Sequence, residues 1–406
     1  MGSSRQSVIC MRILGFIFAF TTACCLAQRP KDQLRIANAA QIGISEFYQE
    51  IPFVDKGGYF IIPVKIGVET YNYIFDTGGY NTVTTEIMNR NTLPELMQVT
   101  VGSANQLKSK VKLSKIPRLY LGNIPFNGVG VFNFDFEESP VIKCYTDGGL
   151  LGKGVIKECV WQIDYENKVI RLADRVDKMP GLENSMKLNV ELDNVFNPFV
   201  KVKINGQLEK FLLDFGYGGF ISLTEKTAAK ISFGAVTEIN GEGTIGANGV
   251  NYEKTYAVKL NQLRIADCNF HHPVAFYSKS NNYNLIGSEI AKHFIVTLDF
   301  RNKVILLTPV KDTEEEIFRT FGFDLNLRGD RIYVNRIYKG LSADKKGLLL
   351  NDEISGINGQ GLNPSGSCDR LFEARQLFRQ AESEINLEIK RAGKIIEILL
   401  SKSELE

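Results

Sequence analysis

Two aspartates stand out by residue type and setting. Ile74-Phe75-Asp76-Thr77-Gly78-Gly79 and Leu212-Leu213-Asp214-Phe215-Gly216 each end an apolar run in a carboxylate followed closely by glycine. Either alone reads as a turn, because Asp satisfies its own backbone there. Two together suggest chemistry. Carboxylates at hydrogen-bonding distance cannot both ionise readily, so they share a proton. The ionised member can act as general base on a water while the protonated member donates to a carbonyl oxygen. Such a pair suits amide hydrolysis without a metal or a covalent intermediate.

What could bring the two together is an internal repeat. Pro63–Asp76 lies over Lys201–Asp214, with Ile66 and Ile204 each ten residues before the aspartate. Val101-Gly102-Ser103-Ala104 matches Ile245-Gly246-Ala247-Asn248, and Lys115–Phe126 matches Lys259–Phe270 without a gap. Leu150-Leu151-Gly152 matches Leu285-Ile286-Gly287, and an aspartate, Asp164 or Asp299, follows each of those glycines by twelve residues. These matches in one order define two copies of a unit, over about 55–175 and 195–308. Each copy consists mainly of short runs rich in Val, Ile, Tyr and Phe, broken by Gly, Asn and Pro, so the unit is expected to be largely β. Two such units imply a pseudo-twofold molecule with a cleft at their interface.

On these residues the chain resembles the aspartic protease family, specifically bacterial secreted retropepsin-like proteins with two fused halves. The resemblance covers roughly 55–308 and rests on FDTGG at Phe75–Gly79, the two apolar-apolar-Gly segments and the repeat itself. It implies a mainly β aspartic-protease fold acting on polypeptide, with Asp76 and Asp214 as the catalytic dyad. It implies that Thr77, Gly78 and Gly216 shape the catalytic loops. Gly102 and Gly246 would lie in hairpin flaps that close over substrate. One departure stands out: the second copy reads Asp214-Phe215-Gly216 where the family carries a hydroxyl residue after Asp. Thr77 can still bond across the twofold axis, but Phe215 cannot reciprocate. A non-catalytic peptide-binding protein on a degenerate protease fold is therefore the rival reading.

The repeat stops near Pro309, and Lys311–Glu316 reads as a charged linker or an exposed helix start. Beyond it, 317–404 resembles a PDZ domain, a small α/β unit. The resemblance rests on Phe321-Gly322-Phe323 as a carboxylate-binding loop, on the Gly347–Gly359 turn region and on helical spacing near Asp369–Ala381. It implies capture of a C-terminal peptide by strand addition.

Other features bound the answer. The chain has 406 residues with 48 Lys and Arg against 46 Asp and Glu, so no basic stripe is available for a nucleic acid. Residues 1–27, with Arg12 before the apolar run Ile13–Phe20 and small residues to Ala27, read as a signal peptide. Residues 28–54 form a lead-in. Secretion or an envelope location is expected, with lipid attachment at Cys24 as an alternative, and no transmembrane span remains after cleavage. Cleavage leaves Cys144, Cys159, Cys268 and Cys368, without CxxC spacing; a single bridge such as Cys144–Cys159 stays open. Only three histidines occur, and His271-His272 lacks a third ligand nearby, so no metal and no other cofactor are expected. Gly241–Gly246 spells GxGxxG but falls in the expected flap with no helical pattern after it. Asp214-Phe215-Gly216 lacks the other kinase motifs, and Gly152-Lys153-Gly154 is no Walker loop. Oligomeric state is not encoded in these patterns.

Overall fold

The apolar, β-branched runs of both copies form strands. In a computed structural model, strand residues amount to 50% against 14% helix, so the protein is mainly β. The structure describes residues 31–231, 233–310, 317–362 and 366–405. The expected signal peptide at 1–27, including Cys24, and the charged stretch 311–316 lie outside the described residues. Among those described, no helix is long and apolar enough to cross a membrane.

Both copies build the same core motif. Tyr59–Ile66 pairs antiparallel with Glu69–Phe75, and Gly149–Leu151 adds parallel to the end of the latter, placing Leu151 opposite Phe75. In the second copy Pro198–Ile204 pairs with Gln207–Leu213, and Asn284–Ile286 adds parallel so that Ile286 lies opposite Leu213. Each aspartate thus begins where a buried strand, flanked on both sides, runs out. Its amide continues the ladder: Asp76 N donates to Leu151 O at 3.0 Å, and Asp214 N donates to Ile286 O at 2.9 Å.

The copies are joined by one six-stranded sheet to which each contributes two strands, with the lead-in strand Tyr48–Pro52 and the linker strand Met186–Asn189 at its edges. Its order is Met186–Asn189, Val304–Pro309, Phe294–Asp299, Val160–Asp164, Val169–Ala173 and Tyr48–Pro52. The central pair crosses the interface, with Ile163 opposite Val296, Gln162 opposite Thr297 and Trp161 opposite Leu298. Trp161, Ile163, Val296 and Leu298 are fully buried. Burying a large apolar side chain of this kind contributes about 1.5–3 kcal/mol, so the seam helps to hold the halves together.

The C-terminal stretch is not a separate bead. It forms antiparallel strands Phe323–Arg328, Arg331–Tyr338, Glu353–Ile357, Glu384–Arg391 and Lys394–Ser401 with a helix at Ser367–Gln380. Ile239–Gly241 of the second copy pairs directly with Arg336–Tyr338, so one sheet runs from the second copy into this unit. A disulfide also ties it to the first copy, and here a sequence expectation is corrected. Cys144 pairs with Cys368, 224 residues away, and not with Cys159. Cys159 is a free thiol buried at the start of the seam strand, whereas Cys144 ends the short helix Pro140–Lys143 and faces the first turn of the C-terminal helix.

Gly152 and Gly287 show how tightly this frame meets the aspartate loops. A Cβ on Gly152 would lie 2.5 Å from Gly79 O, and one on Gly287 would lie 2.1 Å from Gly219 O and 2.4 Å from Tyr217 O. Backbone that close cannot yield without moving the loops. Gly287→Ala is expected to cost about 1–3 kcal/mol of stability, measured by urea unfolding. Gly361→Ala, where a Cβ would meet nothing within 4 Å, is the reference.

Candidate active site

The twofold arrangement of the two loops brings Asp76 and Asp214 face to face. Each is seated against the other copy's glycine. A Cβ on Gly78 would stand 2.6 Å from the Asp214 carboxyl carbon, and one on Gly216 would stand 2.6 Å from that of Asp76. The two side chains are hydrogen-bonded to one another. Glycine at 78 and 216 is therefore a steric requirement of the pair.

The pair is not symmetric. Asp76 Oδ1 accepts from Gly78 N at 2.9 Å and Gly79 N at 2.7 Å, whereas Asp214 Oδ1 accepts from Gly216 N alone at 2.9 Å. Backbone N–H donors stabilise a carboxylate, so Asp76 is the better anion. Burial raises both acids, and the Asp76 charge raises Asp214 further. The shared proton belongs on Asp214.

Thr77 ties the loops. Fully buried, its Oγ1 donates to Leu213 O at 2.7 Å and accepts from Phe215 N at 3.0 Å, both in the other copy. Phe215 cannot return a hydroxyl bond and does something else. Its fully buried ring lies 5.7 Å from Phe60 and 5.8 Å, edge-on, from Phe75, which in turn meets Trp161 at 5.3 Å. Aromatic pairs of this kind contribute about 0.5–1.5 kcal/mol each beyond their burial. One half of the hydroxyl grip is thus replaced by an apolar wedge under the dyad. The second loop also takes a longer path: Ser288 N bonds Tyr217 O and Gly287 N bonds Phe220 O, while in the first loop Lys153 N bonds Gly79 O and Asn81 Oδ1 takes the Gly152 amide.

Lys153, which in the sequence only imitates a Walker lysine, lies near the pair. It is 3% exposed, donates to Asn197 Oδ1 at 2.6 Å and lies 4.1 Å over the Tyr80 ring. Burial lowers its pKa to about 8, opposed by the charges of Asp76, Asp193 and Asp214. Its signal in the sequence is a cation directly after an apolar-apolar-Gly segment. Tyr59 and Tyr217 flank the dyad; burial raises both, and each is within electrostatic range of Asp214 and Arg336.

The residues expected in flaps behave differently from one another. Met97–Gly102 and Lys108–Leu121 form one hairpin, and Val236–Gly246 with Gly249–Tyr252 forms the other. Their tips meet: Asn105 Nδ2 donates to Gly249 O at 2.6 Å and Asn248 Nδ2 to Leu107 O at 2.8 Å. A Cβ on Gly246 would lie 2.4 Å from Ser103 Oγ, whereas one on Gly102 would meet only Leu107 O at 3.9 Å. Only Gly246 is required by contact.

In the C-terminal unit Phe321 and Phe323 are fully buried, with rings 5.4 and 5.2 Å from that of Phe378. Gly322 has φ +87°, and its amide bonds Thr320 Oγ1 at 3.1 Å. The groove between Phe323–Arg328 and the C-terminal helix holds the chain's own segment around Pro140–Tyr145.

A carboxyl whose pKa is raised on folding binds its proton more tightly in the folded state, so its contribution is lost as pH rises above the unfolded-state value. Asp214→Asn is therefore expected to raise the melting temperature by a few degrees at pH 7. The gain should vanish near pH 3, where the acid is neutral in both states. Melting curves of both proteins across pH check this. Comparison with protein-family models and with curated proteins gives no match for this chain.

Proposed function

We propose that this chain is an aspartic endopeptidase, built from two retropepsin-like halves and a PDZ-like C-terminal unit. One observation carries the reading. Two carboxylates from equivalent loops are hydrogen-bonded together, each against the other half's glycine and each accepting amide bonds from its own loop.

In this reading a water lies between the carboxylates. Asp76, the better anion, takes a proton from the water as it attacks the peptide carbonyl, and Asp214 donates its proton to the carbonyl oxygen. The resulting diol collapses as the amine leaves with the proton from Asp76, and Asp214 recovers its own from the diol hydroxyl. This is the shared-proton chemistry of aspartic proteases generally. The meeting hairpin tips would act as flaps over an extended polypeptide. Secretion or an envelope location is part of the proposal. Its support is the Cys144–Cys368 bridge, since such bonds persist in oxidising compartments.

The rival reading, a non-catalytic peptide-binding protein, draws on Phe215, which removes half of the hydroxyl grip. The Thr77 bonds and the aromatic wedge that hold the loops in register favour catalysis.

Residues 28–406 are expected to cleave a diverse peptide library, and Asp76→Asn and Asp214→Asn each to lose at least about a thousandfold in kcat/KM. A hydroxyl-containing transition-state mimic should inhibit. The pH profile should be bell-shaped, falling on the acid side as Asp76 takes up a proton and on the alkaline side as Asp214 loses one. No cleavage by folded wild type at any pH between 4 and 8 would favour the binding protein.

A further inference from the structure

We propose that the C-terminal unit is a latch on the second flap hairpin, held closed by the Cys144–Cys368 disulfide and released by a dithiol reductant. This rests on the reading of the dyad as a substrate-cleaving site beneath the hairpins, and it concerns how that site is opened.

The second hairpin and the C-terminal unit form one body. Ile239, Asn240 and Gly241 pair with Tyr338, Ile337 and Arg336, and Lys339 N donates to Glu238 O at 2.8 Å. At Gly241 the approach is so close that a Cβ would lie 2.1 Å from Asn335 O, and φ is +124°. The next residue, Glu242, is only 3% exposed, and among the described residues the donors to its carboxylate come from the C-terminal unit. Asn326 Nδ2 stands at 2.8 Å, Asn335 Nδ2 at 3.0 Å, and the Tyr333 hydroxyl also donates. The Arg336 guanidinium donates to Glu242 O at 2.5 Å and to Gly243 O. A buried carboxylate stripped of such donors is strongly disfavoured. The hairpin therefore cannot lift while the C-terminal unit stays behind.

One short segment of the first copy pins this body in place. Ser139 Oγ donates to Gly246 O and accepts from Gly249 N at 2.9 Å, so it holds the hairpin tip. Five residues on, Cys144 is bonded to Cys368 in the first turn of the C-terminal helix. Between them Val141 packs into the apolar core of the C-terminal unit, and just beyond Cys144 the Tyr145 ring meets Phe372 edge-on at 5.6 Å. The groove expected to take a foreign peptide is thus filled in cis by the segment that also clips the flap.

A half-open cleft of about 310 Å³, lined by Glu138, Pro140, Val141, Asn248, Leu327 and Tyr333 among others, lies at the non-covalent part of this junction. Water in such a cleft competes for the polar bonds beside it, so less holds the junction shut once the covalent bond is gone. In the release step one thiolate of a dithiol attacks a sulfur of the bridge, and the mixed disulfide is then displaced by the second thiol. The reductant becomes a cyclic disulfide, and Cys144 and Cys368 each end as a thiol, two electrons and two protons having passed to the protein.

The test is backbone hydrogen exchange on three samples: oxidised protein, protein reduced by dithiothreitol and alkylated, and the Cys144→Ser/Cys368→Ser variant. Mass spectrometry confirms the thiol state. Exchange of the hairpin-tip amides at 246–250, where Gly249 N loses Ser139 Oγ, is expected to rise by about tenfold on loss of the bridge, while 239–241, bonded within the moving body, and the six-stranded seam at 160–173 and 294–309 stay protected. Unchanged exchange at the hairpin tip overturns the proposal. So does a uniform rise across the chain, seam included, because the bond would then support the fold as a whole. Exchange is read whether or not the protein cuts peptides. Hairpin loosening without any cleavage would keep the latch and discard the peptidase, whereas cleavage with no loosening would do the reverse.

Discussion

Two carboxylates can be held against each other only while one of them keeps a proton, and the rest of this molecule is arranged around that constraint. The aspartate loops are not free to separate and relieve it. Their amides are fixed by the parallel strands Gly149–Leu151 and Asn284–Ile286, and their glycines leave no room for a side chain between one loop and the opposing carboxylate. The shared six-stranded sheet anchors the halves behind them. Folding energy gathered over that seam is partly used to hold an arrangement that is unfavourable by itself, as strained functional sites generally require.

Asymmetry grows from small differences between two nearly equivalent loops. An extra amide on Asp76 makes it the better anion. Thr77 reaches across in one direction only, and the reciprocal position is filled by the Phe215 ring on Phe60 and Phe75. Two carboxyl groups of unequal proton affinity thus arise from a duplication that would otherwise leave them interchangeable.

Much of this was legible in the chain. Asp76 with Asp214, and Gly152 with Gly287, could be paired because repeat positions occupy equivalent places, and the alternation of apolar residues announced strands. The Cys144 partner could not be read, because sequence spacing carries no information about distance across 224 residues. Phe215 looked like a loss because a missing hydroxyl is visible in sequence and an aromatic cluster assembled from Phe60, Phe75 and Trp161 is not. Lys153 escaped because its hydrogen-bond partner, Asn197, comes from the other copy. The C-terminal unit read as a separate module, since nothing local in Glu242 or Arg336 reveals that they bind each other's strands.

The central claim is that Asp214 holds a proton at neutral pH beside an ionised Asp76, and infrared difference spectroscopy tests it directly. Subtracting the Asp214→Asn spectrum from that of wild type at pH 6.5 should reveal one protonated carboxyl stretch that shifts in deuterated water. Absence of that band, with carboxylate absorption in its place, would mean that both acids are ionised and would contradict the account.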